Sequence, residues 1–234
     1  MQTVYCISGL GADHRIFSLL EVPGVEFRSL PWFKPLDKES MSSYAARMSA
    51  GITDKNPILL GVSFGGMMAI EIGKLIPAST VILVSSIRER RQMPFWIRAS
   101  GWTYLYKLVS PRSLRGSMSL FAGRVPRLEN YFLGVETADD ARLCREFREQ
   151  ADPNFIGWAI RRIVLWQNDW VPASFYHIHG TQDGMFPLRR VEATHIVPDG
   201  GHLMVFNRAE EVSRLLVTIL EGVGKNALGG QILD

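Results

Sequence analysis

Six short runs rich in apolar residues recur along the chain: Thr3 to Ser8, Val25 to Leu30, Pro57 to Val62, Thr80 to Ser85, Phe175 to His179 and Glu192 to Val197. Their apolar stretches are continuous rather than alternating, which predicts strands buried on both faces. Helical patterns separate the first four, notably Ser40 to Ile52 and Phe64 to Ile76; the second stops just before Pro77, which cannot continue a helix. Strand followed by helix, repeated, implies an α/β domain: a mostly parallel six-stranded sheet with helices on both faces.

After Ser86 the alternation stops, and helical patterns follow one another for roughly eighty residues until Phe175. This reads as a helical cap inserted into the sheet domain. Residues 1–87 and 171–222 form the sheet domain, 88–170 the insertion and 223–234 a flexible tail, with a frayed end expected from Gly222. Within the insertion, Thr137 and Asp140 form a capping pair ahead of a helix that aligns Leu143 with Phe147; Asp152 and Pro153 start another that aligns Ile156, Ile160 and Ile163. The insertion also holds Trp96, Trp102, Trp158, Trp166 and Trp170, which either offer an aromatic surface or bind the insertion to the sheet. The terminal helix is expected over Val205 to Leu220.

Composition excludes several classes. With 234 residues, 47% hydrophobic and 21% charged, the chain is a globular protein large enough to need no metal or cross-link for stability. Cys6 and Cys144 fall in unrelated contexts, which argues for reduced thiols and a cytoplasmic setting. No window approaches the ~18 apolar residues of a membrane span, and the N-terminus lacks a signal-peptide pattern. The net charge of +3 arises in the insertion, where Lys and Arg are interspersed with acids and form no nucleic-acid motif.

Chemistry concentrates at strand ends. Gly61-Val62-Ser63-Phe64-Gly65 closes the third strand run and opens the next helix. A serine on so sharp a turn adopts a strained backbone, and small residues two before and two after it let strand and helix approach closely. Its hydroxyl is then lifted toward the positive end of the helix. Such a hydroxyl becomes a nucleophile only when a histidine takes its proton and an acid orients the histidine. His177, His179 and His195 lie within strand patterns, and His14 follows Asp13 as a helix-start residue. His202 sits in the turn Pro198-Asp199-Gly200-Gly201-His202, after the last strand, where a loop can reach Ser63. The acid is expected after the preceding strand, where Gly180-Thr181-Gln182-Asp183 supplies Asp183; Asp199 and Glu89 are alternatives. Ser8-Gly9-Leu10-Gly11 ends the first strand, so the N–H groups of Leu10 and Phe64 are candidates for an oxyanion hole. Gly9, Gly11, Trp96 and Trp158 are candidate substrate contacts, and Arg88, Arg90 and Arg91 could meet an anionic substrate or form a solvated surface.

With the serine turn, the acid after the penultimate strand, the histidine after the last strand and the insertion after the fourth, the chain resembles the α/β-hydrolase superfamily from Thr3 to Leu220. The resemblance implies a parallel sheet, a triad of Ser63, Asp183 and His202, no metal or cofactor, and an acyl-serine intermediate as in esterase members. The leading antiparallel hairpin is missing, and Ser8-Gly9 stands where His-Gly is common. In size and cap position the chain is similar to small capped esterases such as the plant-type methyl esterases. A small carboxylic ester or thioester is therefore the expected substrate. Carbon–carbon bond hydrolysis and cyanohydrin lysis use the same three residues in this superfamily, and a ligand receptor retaining a hydrolase pocket is a third possibility.

Overall fold

In the computed structural model, residues 1–76, 79–102 and 130–229 are described. Six strands form one sheet: β1 (Gln2–Ile7), β2 (Val25–Ser29), β3 (Ile58–Val62), β4 (Thr80–Val84), β5 (Ser174–Gly180) and β6 (His195–Val197), in the order β2-β1-β3-β4-β5-β6. Every pairing is parallel. The chain leaves β1 toward one edge for β2 and then crosses back to β3 on the other side of β1. The strand order thus reverses at β1 and β3, and their carboxyl ends form the crevice where open α/β sheets place ligands.

Strands β1, β3 and β4 each feed two cores, which explains their unbroken apolar runs. Tyr5, Ile7, Leu59, Val81 and Leu83 face a core that includes Met41, Tyr44, Phe64, Met68 and Ile72. Val4, Cys6, Ile58, Leu60, Ile82 and Val84 face another, built with Leu203, Val212, Leu216 and Ile219. Side chains alternate between the two faces, and both faces are dry. Helices α1 (Met41–Ser49) and α2 (Phe64–Leu75) cover the first face. Ser40 caps α1 by accepting the Ser43 N–H at 3.0 Å. Nearly all of α2 is buried, so it lacks a polar stripe.

The insertion shows α3 (Phe95–Trp102), α4 (Ala138–Gln150) and α5 (Pro153–Leu165). The Thr137 hydroxyl accepts the Asp140 N–H and the Asp140 carboxylate accepts the Thr137 N–H, each at 3.1 Å, the capping pair expected from sequence. Asp152 caps α5, with Pro153 in its first turn. Residues 103–129 of the expected cap, the Trp102 side chain and residues 230–234 of the expected tail lie outside the described residues.

Three expectations need correction. The last strand is only His195–Val197; Glu192, outside it, pairs with Arg88 and Arg91. The terminal helix starts as a single turn, α6 (Met204–Asn207), breaks at Arg208 (φ −123°) and resumes as α7 (Ala209–Gly229). It therefore continues through Gly222, where a frayed end was expected; no Cβ at Gly222 would meet another atom within 4 Å, so this face of the helix is open. Cys6 and Cys144 are both buried and outside any disulfide, and burial pushes the Cys6 thiol pKa up.

Candidate active site

Ser63 stands between the end of β3 and the start of α2 with φ 54° and ψ −118°, a left-handed conformation costing on the order of 1–3 kcal/mol for a residue with a Cβ. Its surroundings enforce the strain. A Cβ on Gly61 would stand 2.4 Å from the Gly65 carbonyl oxygen, and one on Gly65 would stand 2.1 Å from that of Ile7. Strand β1, strand β3 and helix α2 therefore meet backbone to backbone around the serine. The Ser63 N–H donates to the Val84 carbonyl at 3.0 Å, and the Ser86 hydroxyl donates to the Ser63 carbonyl at 2.7 Å, so the end of β4 holds the turn from the far side.

His202 reaches this serine from the loop after β6. Its Nε2 lies 2.9 Å from Ser63 Oγ, and its Nδ1 lies 2.9 Å from Asp183 Oδ2. A carboxylate only accepts, so Nδ1 carries the proton and Nε2 presents its lone pair to the serine hydroxyl. The other Asp183 oxygen accepts the backbone N–H groups of Met185 at 2.9 Å and Phe186 at 2.8 Å. Burial alone would raise the Asp183 pKa, but the charge and hydrogen bond of His202, the His179 ring and the Phe186 amide hold it below the ordinary carboxylate value. The Phe186 ring packs edge-on against the His202 ring at 5.5 Å.

The structure thus brings Ser63, His202 and Asp183 together in hydrogen-bonding sequence. It does not bring the alternative acids to His202. Asp199 accepts from the Gln182 amide at 2.9 Å, and Glu89 pairs with Arg88 and Arg91. The possibility that Arg88, Arg90 and Arg91 meet an anionic substrate gives way to structural roles: Arg88 and Arg91 bridge Glu89 and Glu192, while Arg90 donates to the carbonyls of Val164 at 2.9 Å and Trp166 at 3.2 Å.

Beside the serine the loop after β1 runs close. A Cβ on Gly9 would lie 3.5 Å from Ser63 Cβ, and one on Gly11 would lie 3.3 Å from Ile156 on α5. Leu10 and Trp158 pack against the same core as Phe64. Trp158 meets Phe64 edge-on at 6.2 Å and lies 4.5 Å from Tyr44, and its indole N–H donates to the Glu39 carbonyl at 2.9 Å. Trp96 is different. It is 58% exposed on α3, and the aromatic cluster around Phe64 is built without it.

Sequence reasoning missed several residues that shape this site. Trp32 stacks on Phe64 with ring centroids 5.2 Å apart and planes at 15°. It follows Leu30 and Pro31 at the carboxyl end of β2, and strand-end position was the available signal. His179, within a strand pattern in the sequence, supports the acid: its Nε2–H donates to the Phe186 carbonyl at 2.7 Å, in the turn that holds Asp183, and stands 3.6 Å from Asp183 Oδ2. Among the described residues, no group of three or more His, Cys, Asp and Glu side chains is arranged to hold a metal ion, and no helix is long and apolar enough to cross a membrane.

The same arrangement of strands and helices occurs in solved structures. A thermophilic esterase from Thermogutta terrifontis superimposes with a TM-score of 0.72 at 17% identity, over 95% of this chain and 90% of that one. A carboxylesterase study of Nitrososphaera gargenis contributes a match of 0.69 at 15% identity, covering 96% and 92%. BpoC, a putative non-heme bromoperoxidase from Mycobacterium tuberculosis, matches at 0.63 and 18% identity, covering 95% and 93%. Likeness at such identities establishes the fold alone. No curated protein matches the chain significantly by sequence. The family model described as "Alpha/beta hydrolase family", however, matches residues 4–215, nearly the whole chain, and the protein belongs to that family.

Proposed function

We propose that the protein is a serine hydrolase that cleaves a small carboxylic ester or thioester through an acyl-serine intermediate. One observation carries this reading: the Ser63 hydroxyl, on a strained turn, lies 2.9 Å from His202 Nε2 while Asp183 holds the opposite ring nitrogen at 2.9 Å. A structural serine needs neither the strain nor the relay.

In this mechanism Ser63 Oγ attacks the acyl carbon while His202 Nε2 takes its proton. His202 then returns the proton to the leaving alcohol or thiol, and water repeats the sequence to free the enzyme. Asp183 fixes the imidazole tautomer and stabilises the imidazolium without being protonated. The N–H groups of Leu10 and Phe64 receive the negative charge that develops on the carbonyl oxygen, aided by the positive end of α2. Substrate lies between the strand ends and α5, against Leu10, Phe64 and Trp158, and no metal or cofactor enters the sequence of steps. Two buried cysteines outside any disulfide support a reducing, cytoplasmic setting.

The test is direct. Purified protein should release p-nitrophenol from short-chain p-nitrophenyl esters and label with a fluorophosphonate probe, and Ser63→Ala should abolish both. Turnover that survives Ser63→Ala would remove the serine from the mechanism.

A further inference from the structure

Resting on the serine-hydrolase reading, we propose that Trp32 and Ser8 are positioning residues that together set the oxyanion site, one indole ordering both backbone segments that carry its donors. The Ser8 hydroxyl is the junction. It accepts the Trp32 indole N–H at 2.9 Å and donates to the Ala12 carbonyl at 2.7 Å, so the loop that contains Leu10 is closed by a side chain at its first residue. A backbone bond from the Ala12 N–H to the Gly9 carbonyl, 3.1 Å, closes the same loop from within. The face of the Trp32 ring lies on Phe64, whose own N–H is the second donor. Ser8 and Phe64 are both buried, at 3% and 1% exposure.

Such a clamp has work to do here. Gly9 and Gly11 leave the loop weakly determined by its own backbone, and Gly11 adopts φ 74°. Oxyanion donors act only when held at hydrogen-bonding distance from the place where charge develops, and small misplacements are costly. The loop and the serine turn already touch, since a Cβ on Gly65 would also stand 2.4 Å from the Ser8 carbonyl oxygen. What contact alone does not fix is the tilt of the loop's amides. Trp32 supplies that by holding Ser8 through its N–H and Phe64 through its ring, and it is itself braced by Phe155 of α5 at 5.1 Å and Tyr44 of α1 at 6.0 Å.

Two variants separate the bond from the packing: Ser8→Ala removes the junction, and Trp32→Phe keeps a ring on Phe64 but loses the donor. Wild type and Ser63→Ala are run beside them on p-nitrophenyl acetate, with two inhibitors. One is a trifluoromethyl ketone, whose serine adduct carries the oxyanion; the other is acetate, which resembles the ground state. We expect kcat to fall about tenfold or more in both variants with KM within about twofold, and ketone affinity to fall with kcat while acetate affinity holds. Folded variants that keep kcat and ketone affinity within about twofold of wild type would overturn the clamp. So would ketone and acetate affinities falling together, which marks general loosening of the pocket. If Trp32→Phe fails to fold, Ser8→Ala decides alone. An inactive wild type, by contrast, would refute the hydrolase reading itself.

Discussion

Asp183 and His202 are joined by a single 2.9 Å bond between Oδ2 and Nδ1, while the carboxylate's other oxygen is occupied by two backbone N–H groups. The carboxylate cannot rotate without giving up those amides. In Asp183→Asn the amide oxygen would keep the two backbone donors and turn its NH2 toward His202, forcing the proton from Nδ1 to Nε2. An Nε2–H imidazole cannot take the serine proton. We expect kcat on p-nitrophenyl acetate to fall by roughly 10³–10⁴ with the fold intact and KM changed only a few-fold; a loss below about tenfold would place the orienting acid elsewhere.

Glycines at two places predict opposite signs. Gly65→Ala would drive a methyl group to within 2.1 Å and 2.4 Å of the Ile7 and Ser8 carbonyl oxygens, both backbone atoms that cannot yield. This variant should lose several kcal/mol, a severe overpacking case, and fail to accumulate as soluble protein. Gly222 lies within α7 with nothing near its absent Cβ. Gly222→Ala should therefore raise stability by about 0.5–1 kcal/mol through helix propensity alone. Soluble yield checks the first variant and a urea unfolding midpoint the second.

The centre of the sheet was legible because β1, β3 and β4 are apolar on both faces, so period and composition agreed. The Ser63 turn and the positions of Asp183 and His202 were legible because strand ends and Gly-rich turns limit where a loop side chain can go. The contribution of Trp32 was not. It depends on a ring from the loop after β2 crossing to Phe64 after β3, a contact no local pattern encodes. The pairing of Glu192 was hidden for the same reason, since its partners Arg88 and Arg91 lie about a hundred residues earlier. Trp96 and Trp158 looked alike as apolar residues of one insertion, yet only Trp158 faces the aromatic cluster.

That difference bears on chain-length preference. In the proposed mechanism Trp158 borders the bound acyl group; its ring packs edge-on on Phe64 and is held by its bond to the Glu39 carbonyl and its contact with Tyr44. Trp158→Ala should open room for a longer or bulkier acyl group and raise kcat/KM for p-nitrophenyl hexanoate relative to acetate by about tenfold, at a stability cost of about 3–5 kcal/mol. Rates on an ester series from two to ten carbons would show it. An unchanged profile with the same loss of stability would reduce Trp158 to the role of binding the insertion to the sheet.

The two histidines of β5 make stability depend on pH. His177 and His179 point into the protein with their side chains buried, ring centroids 5.2 Å apart. Burial, then the neighbouring His179, pushes the His177 pKa down to about 3; burial likewise lowers that of His179, only partly opposed by Asp183. A histidine with a depressed folded pKa is protonated first in the unfolded chain, so acid draws the equilibrium toward unfolding as soon as the pH drops below the ordinary value of 6.5. For His177 the loss should grow by about 1.4 kcal/mol per pH unit and level off only near pH 3. Asp183 acts in the same direction but lower: its depressed pKa gives stability that is present above its ordinary value of 3.8 and lost as pH falls through the folded value. Urea unfolding between pH 8 and pH 4.5 therefore isolates the histidines. His177→Phe should flatten that slope by about one proton. A slope identical to wild type would mean that His177 binds its proton equally well folded and unfolded.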